Sequence, residues 1–208
     1  MSSGLLVLVS APSGAGKTSL VKHALDADTR LKVCVSHTTR GLRPGEQNGL
    51  NYHFVDRAQF REMIQAEAFL EYAEVFGNYY GTSHAEVQKL RDAGKDVILE
   101  IDWQGADQIR HLVPDALSIF ILPPSEQALR ERLTNRGQDS AEVIERRLAQ
   151  AKEDMAQAGR YQYLVVNDNF EQAAEDFATI LHSARLSYAY QVSAHPQIRA
   201  LTGIETTN

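Results

Sequence analysis

Five short stretches of the chain are apolar almost without interruption: residues 5–10 (LLVLVS), 33–36 (VCVS), 96–102 (DVILEID), 117–122 (LSIFIL) and 163–166 (YLVV). Runs this short and uniform belong to strands covered on both faces, the situation of a parallel sheet. The intervening stretches at 17–27, 103–111, 125–135, 141–158 and from 170 to about 190 read as helices. Strands and helices in alternation build right-handed βαβ units. The pattern therefore predicts a three-layer α/β core with helices on both faces of a parallel sheet.

Two segments depart from that rhythm. Residues 37–94 carry the turn formers Gly41, Pro44, Gly45, Asn48 and Gly49 early, then a hairpin pattern over 69–82 that bends at Gly77 and Asn78. They read as an α+β lobe inserted into a core made of 1–36 and 95–208. Residues 134–147 read as a short helical lid within the core, in an arginine-rich setting of Arg130, Arg132, Arg136, Arg146 and Arg147. Asp139, three residues before Glu142, is the expected cap of the helix that follows.

Composition and charge narrow the function classes. A length of 208 residues suits one large domain with insertions, and 43% apolar with 23% charged residues is ordinary for a globular chain. The net charge of −6 argues against broad nucleic-acid binding, which needs a basic face. The single cysteine, Cys34, has no disulfide partner and reads as a small core residue. The apolar run near the N-terminus lacks a basic leader, and no run approaches the roughly 20 residues that span a bilayer. The expectation is a cytoplasmic protein with neither membrane nor nucleic acid as partner, and with monomer or homo-oligomer left open.

Candidate chemistry begins at SAPSGAGKTSL, residues 10–20, between the first strand and the first helix. It matches the phosphate-binding pattern G-x-x-x-x-G-K-[ST], except that Ala11 replaces the first glycine. Gly14 and Gly16 keep backbone freedom where the loop curls tightest, and a strand exit at Ala11 needs only an ordinary negative φ. Backbone N–H groups across Ser13, Gly14, Ala15, Gly16, Lys17, Thr18 and Ser19 would face phosphate oxygens at the positive end of the helix dipole. Lys17 would reach the β- and γ-phosphates and Thr18 would offer its hydroxyl to Mg²⁺, so a nucleoside triphosphate is the expected ligand. No asparagine is followed by lysine, which leaves out the guanine motif of GTPases.

In VSHTTRGLRPGE, residues 35–46, Arg40 and Arg43 stand three apart on a loop that glycine and proline keep from becoming a helix. Guanidinium forks bind phosphate bidentately. Tyr52 and Tyr80 read either as packing aromatics or as members of the same site.

Taken in order with GLNYHFV, FLEYAEVFGNYYGTS, VILEIDWQGA, RERLTNRG, ERRL and VVND, these motifs resemble the guanylate kinase family from about residue 5 to at least 180. The resemblance implies a nucleoside monophosphate kinase that moves the γ-phosphate of ATP, with Mg²⁺, onto GMP, with dGMP as a further acceptor. It implies the acceptor phosphate against Arg40, Arg43, Tyr52 and Tyr80, and guanine against Ser36, Glu71, Thr82 and Asp102. Glu46 either orients Arg43 or ends a solvated loop. Lys17, Arg132, Arg136 and Arg147 are assigned to the ATP phosphates and the transfer step, whereas Arg130 and Arg146 read as surface charges. Asn167 is assigned to the adenine side, although Asn167-Asp168-Asn169 also reads as a helix cap.

The chemistry of the base agrees with this assignment. Guanine offers N1–H and N2–H₂ as donors, and carboxylates only accept. Thr82 stands where the family often has serine and keeps the hydroxyl. Glu100 and Asp102 share a face of their strand, and either suits the Mg²⁺ shell; Asp102 is assigned to guanine and Glu100 to the metal through water. A guanylate-kinase-like scaffold that binds a phosphopeptide would have lost the Gly-Lys-Thr loop and the lid arginines. A kinase for another acceptor would not need Glu71, Thr82 and Asp102 together.

Overall fold

The computed structural model describes residues 4–75, 77–135, 140–195 and 197–202. In chain order the first elements are β1 (Leu6–Ser10), α1 (Lys17–Ala27), β2 (Leu31–Val33), β3 (His37–Thr38), β4 (His53–Phe54), α2 (Arg57–Gln65), β5 (Phe69–Val75), β6 (Asn78–Ser83) and α3 (His84–Asp92). Then follow β7 (Asp96–Glu100), α4 (Trp103–Leu112), β8 (Leu117–Leu122), α5 (Glu126–Asn135), α6 (Ala141–Met155), β9 (Tyr163–Val166), α7 (Phe170–Arg185), α8 (Tyr188–Ala194) and α9 (Gln197–Thr202).

Four of the five apolar runs, joined by β2, which overlaps the fifth only at Val33, form one parallel sheet in the order β2-β7-β1-β8-β9. In β1, β7 and β8 the uniform hydrophobicity is explained by burial on both sides, whereas Tyr163, Leu164 and Val166 of the edge strand β9 are exposed. Val7, Val9, Ile98 and Ile119 pack with Leu20 and Val21 of α1 and Phe177 of α7. Leu6, Leu8, Leu99 and Phe120 face Val87 of α3 and Ile109 of α4. Because β1 lies beside β7, with Val9 opposite Glu100, the loop after β1 emerges next to the acidic end of β7. Carboxyl ends of strands are where open α/β sheets bind ligands.

Four boundaries differ from the sequence expectation. The strand expected to reach Asp102 ends at Glu100, and Asp102 stands at the N-cap of α4 rather than on the strand face of Glu100. The second strand ends at Val33. The Cys34 N–H still bonds the Ile98 carbonyl at 3.0 Å, and the chain then leaves the sheet for a second one at His37. The helix expected from 170 to about 190 stops at Arg185, because the Ser187 hydroxyl accepts from the Tyr190 N–H and starts a new helix. The helix expected to reach 158 ends at Met155, and a 3₁₀ turn at Ala158–Arg160 follows. Asp139 lies outside the described residues; the cap of α6 is Ser140, which accepts from the Val143 N–H.

The second sheet, in the order β4-β3-β6-β5, comes from the chain between β2 and β7. Its β5–β6 pair is antiparallel, as the hairpin pattern predicts, and Gly77 at the bend has φ 73°. Phe60 of α2 stacks on Phe69 and Tyr79 with ring centroids 4.5 and 5.4 Å apart, so α2 is anchored to this sheet by aromatic burial. An Asp56/Gln59 capping box starts α2.

A polar clamp joins distant parts of the core. Arg185, at the end of α7, donates from Nε to Asp96 at 2.7 Å and from Nη1 to Asp28 at 2.6 Å. Asp96 also accepts the Leu5 N–H at 2.7 Å. Burial opposes ionisation of Asp28, yet the Arg30 and Arg185 guanidiniums outweigh it and hold the carboxyl well below the usual range. Among the described residues no helix is long and apolar enough to cross a membrane.

Candidate active site

The loop between β1 and α1 curls through Gly14 and Gly16, whose φ angles of 94° and 96° lie in the left-handed region. The Ala15 N–H closes a turn onto the Pro12 carbonyl at 3.1 Å, and Lys17 opens α1. Ser13, Gly14, Gly16, Lys17, Thr18 and Ser19 line a cavity of about 380 Å³. Thr18 Oγ1 donates to Glu100 Oε2 at 3.1 Å, which brings the two expected metal-side groups together.

The remaining loop-side residues are placed differently from the expectation. Ala15 is fully buried, and its carbonyl accepts from Asn167 Nδ2 at 2.7 Å. Arg132 donates to the Asn167 carbonyl at 2.8 Å and reaches the Ala15 carbonyl at 3.5 Å. Asn167 and Arg132 thus brace the loop from behind rather than lining the cavity, because the carbonyls turned away from the ligand side need donors of their own. The helix cap in that segment is Asn169, which accepts from the Gln172 N–H. Gly16 is also required by space, since a Cβ there would overlap the Asn167 amide. Arg136 lies outside the described residues.

An adjoining cavity of about 390 Å³ shares Ser13, Lys17, Arg43, Tyr52, Asp102 and Arg147 with the first. It also collects Ser36, Arg40, Glu71, Tyr80 and Glu100, so strands of both sheets meet there. Glu71 is 4% exposed, and its Oε1 accepts the hydroxyl of fully buried Thr82 at 2.6 Å. Ser36 Oγ lies 3.5 Å from the Thr82 hydroxyl. Burial pushes the Glu71 carboxyl up to about 7, helped by the charge of Asp102 and opposed by the bonds from Thr82. Asp102 occupies the N-cap of α4 without a capping hydrogen bond, which leaves its carboxylate to the cavity.

On the other wall the Arg40 fork is bidentate to Glu46, with Nη2–Oε1 at 2.7 Å and Nη1–Oε2 at 3.0 Å. The same guanidinium stands 5.4 Å over the Tyr52 ring, and Tyr52 meets Tyr80 edge to face at 5.9 Å. Glu46 also accepts the backbone N–H of Arg43 at 2.9 Å. It therefore orients the side chain of Arg40 and only the backbone of Arg43, which departs from both readings of Glu46 in the sequence.

A family model described as guanylate kinase matches residues 3–184. The chain belongs to the guanylate kinase family. A curated guanylate kinase from Pseudomonas savastanoi pv. phaseolicola is 54% identical over 203 residues, covering 94% of this chain and 95% of the relative. One from Thiobacillus denitrificans is 54% identical over 194 residues, covering 93% of each. The crystal structure of guanylate kinase from Anaplasma phagocytophilum superposes with a TM-score of 0.78 at 31% identity, over 99% of this chain and 98% of that one.

In this guanylate-kinase-family chain several cavity residues escaped the sequence reading. Arg146, read as a surface charge, lines the second cavity together with Val143 and Arg147. Arg130 does pair with Glu145 at the surface. Gln104, Gln150 and Asp154 line the loop-side cavity. Arg147, Gln150 and Asp154 are spaced i, i+3, i+7, so one face of α6 was legible as a unit. Burial pushes Asp154 up to about 6, assisted by Asp102 and Glu153 and opposed by Gln150 and Lys17.

Proposed function

We infer that this chain transfers the γ-phosphate of ATP to GMP, giving ADP and GDP. The observation that carries the reading is the buried carboxylate of Glu71, held from behind by the fully buried Thr82 hydroxyl, in a cavity that shares Lys17 and Asp102 with the one at the β1–α1 loop. With the family established, the roles of individual residues follow as our proposal. Residues 37–94 form the acceptor lobe and 134–147 the lid of a core made of 1–36 and 95–208.

ATP places its phosphates in the curl of Ser13 to Ser19, where backbone N–H groups, the α1 dipole and Lys17 balance their charge. Thr18 and Glu100 are hard oxygen donors of the kind Mg²⁺ takes alongside phosphates, Thr18 directly and Glu100 through water. Bound there, Mg²⁺ would neutralise phosphate charge. Arg40, Arg43, Tyr52 and Tyr80 hold the GMP phosphate, with Glu46 keeping the Arg40 fork in plane. Glu71 and Asp102 accept from guanine N1–H and N2–H₂, and Ser36 and Thr82 fix their geometry. Adenine has no N1–H, so AMP leaves a carboxylate facing a lone pair, a mismatch that supports large selectivity.

The acceptor phosphate is largely dianionic at neutral pH and attacks in line without a side-chain base. Arg147, with Arg136, supplies charge to the transferring oxygens once the lid closes and excludes water, while Arg132 holds the loop through the Ala15 and Asn167 carbonyls. The test is ADP release with MgATP and, separately, GMP, dGMP, AMP, CMP and UMP. Turnover restricted to GMP and dGMP supports the scheme, and turnover with another acceptor refutes the roles of Glu71 and Asp102.

A further inference from the structure

Gly105 occupies the third position of α4, a place where glycine weakens a helix relative to alanine. Nothing about its backbone demands glycine, since its φ is not in the left-handed region. Space does demand it. A Cβ at Gly105 would lie 2.9 Å from Glu71 Cδ and closer still to Oε2, with Cγ at 3.4 Å. One edge of the Glu71 carboxyl group, Cδ and Oε2, is laid against the first turn of α4, and Asp102 stands at the N-cap of the same turn.

We propose that Gly105 is a specificity-positioning residue: its missing side chain is the slot that lets the Glu71 carboxylate sit beside Asp102 at guanine-reading depth. The inference rests on the guanine-reading role of Glu71. Gly105 touches no substrate and acts only through Glu71. Of the two partners, Glu71 is the one that yields to an added methyl, because a side-chain carboxyl rotates more easily than a helix held by buried Ala106 and Ile109 moves. The Glu71 displacement needed is about 1 Å, and a shift of that size in a site can cost about 100-fold in rate. The same slot excludes every other amino acid at 105 for as long as Glu71 stays in place.

The experiment compares Gly105→Ala, Glu71→Gln, the double variant and Gly105→Ala/Glu71→Asp, reading kcat and KM for GMP, KM for ATP, and Tm. Gly105→Ala is expected to lower kcat/KM for GMP about 100-fold, with the ATP KM within about twofold and Tm retained or raised. The double variant is expected to be no worse than Glu71→Gln alone, and the shorter aspartate is expected to recover part of the loss. GMP parameters at wild-type level in Gly105→Ala beside a damaged Glu71→Gln would overturn the inference alone. Additive losses, or a melted Gly105→Ala, would do the same, since the helix rather than Glu71 would then be giving way. An undamaged Glu71→Gln would remove the guanine reading of Glu71 and this inference with it.

Discussion

Thr18 and Glu100, 82 residues apart in sequence, meet at 3.1 Å beside the phosphate loop, hydroxyl to carboxylate. Adjacent parallel strands create this meeting, since β1 delivers the loop and β7 delivers Glu100. Removing the charge while keeping the shape isolates its role. Glu100→Gln is expected to raise the Mg²⁺ concentration for half-maximal turnover about 10-fold, as outer-shell partners of metals generally do. An Mg²⁺ titration at saturating ATP and GMP reads the effect, and an unchanged midpoint removes Glu100 from the metal shell.

The raised carboxyl of Glu71 has opposite consequences for stability and for recognition. Its folded value of about 7 lies above the ordinary 4.5, so the folded state binds more protons between those values. The stability it contributes is fully present below 4.5 and is lost as pH rises through about 7. In its proposed role at guanine, Glu71 acts in the ionised form. The KM for GMP is therefore expected to fall as pH rises from 5.5 to 8 while the KM for ATP changes little, and Glu71→Gln should flatten the GMP profile. A GMP profile in Glu71→Gln as steep as that of the natural chain would assign the titration to another group.

Asp154 is disfavoured as a carboxylate by its half-buried place on α6. Asp154→Asn is expected to stabilise the fold at pH 8 by about 1 kcal/mol, roughly 2–4 °C in Tm for a chain of this size. At pH 3, where both folded and unfolded forms are protonated, the gain should vanish. Thermal melts at the two pH values make the comparison, and a drop in Tm at pH 8 would show that the charge is compensated.

Arg185 is 6% exposed and its partner Asp96 is 1% exposed. Arg185→Ala leaves Asp96 as an uncompensated buried charge and is expected to cost about 3–5 kcal/mol. Urea unfolding measures the loss, and Arg185→Met/Asp96→Asn should restore a good part of it. A double variant as unstable as the single one would place the clamp's value in packing rather than charge.

The core was legible because burial on both faces of a parallel sheet leaves an unmixed apolar signature in β1, β7 and β8; the run at 163–166 became an edge strand although mostly exposed, and the run at 33–36 is strand only at Val33. The phosphate loop was legible because its backbone chemistry requires glycines at fixed spacing. Helices were expected in the inserted α+β lobe, but α2 and α3 were not located, although Asp56 with Gln59 spells a capping box in the sequence. Asn167 and Arg132 were read as ligand-facing because sequence shows residue type and order but not which side of a loop a side chain approaches. Arg146 was read as surface because exposure and cavity lining coexist at a cleft mouth. Gly105 was silent for a further reason: its meaning lies in Glu71, which arrives from another strand.

The clamp at Arg185 also sets an order of events during synthesis. Its bonds span 89 residues to Asp96 and 157 to Asp28, so the core sheet is fastened only after nearly the whole chain has left the ribosome. The β5–β6 hairpin, with partners such as Val75 and Asn78, needs only neighbours already made. Short-range pairing outruns long-range closure, so the β5–β6 hairpin is expected to take shape in a nascent chain before the core sheet closes. The phosphate loop, first to be translated, waits for the last long helix before its sheet is secured.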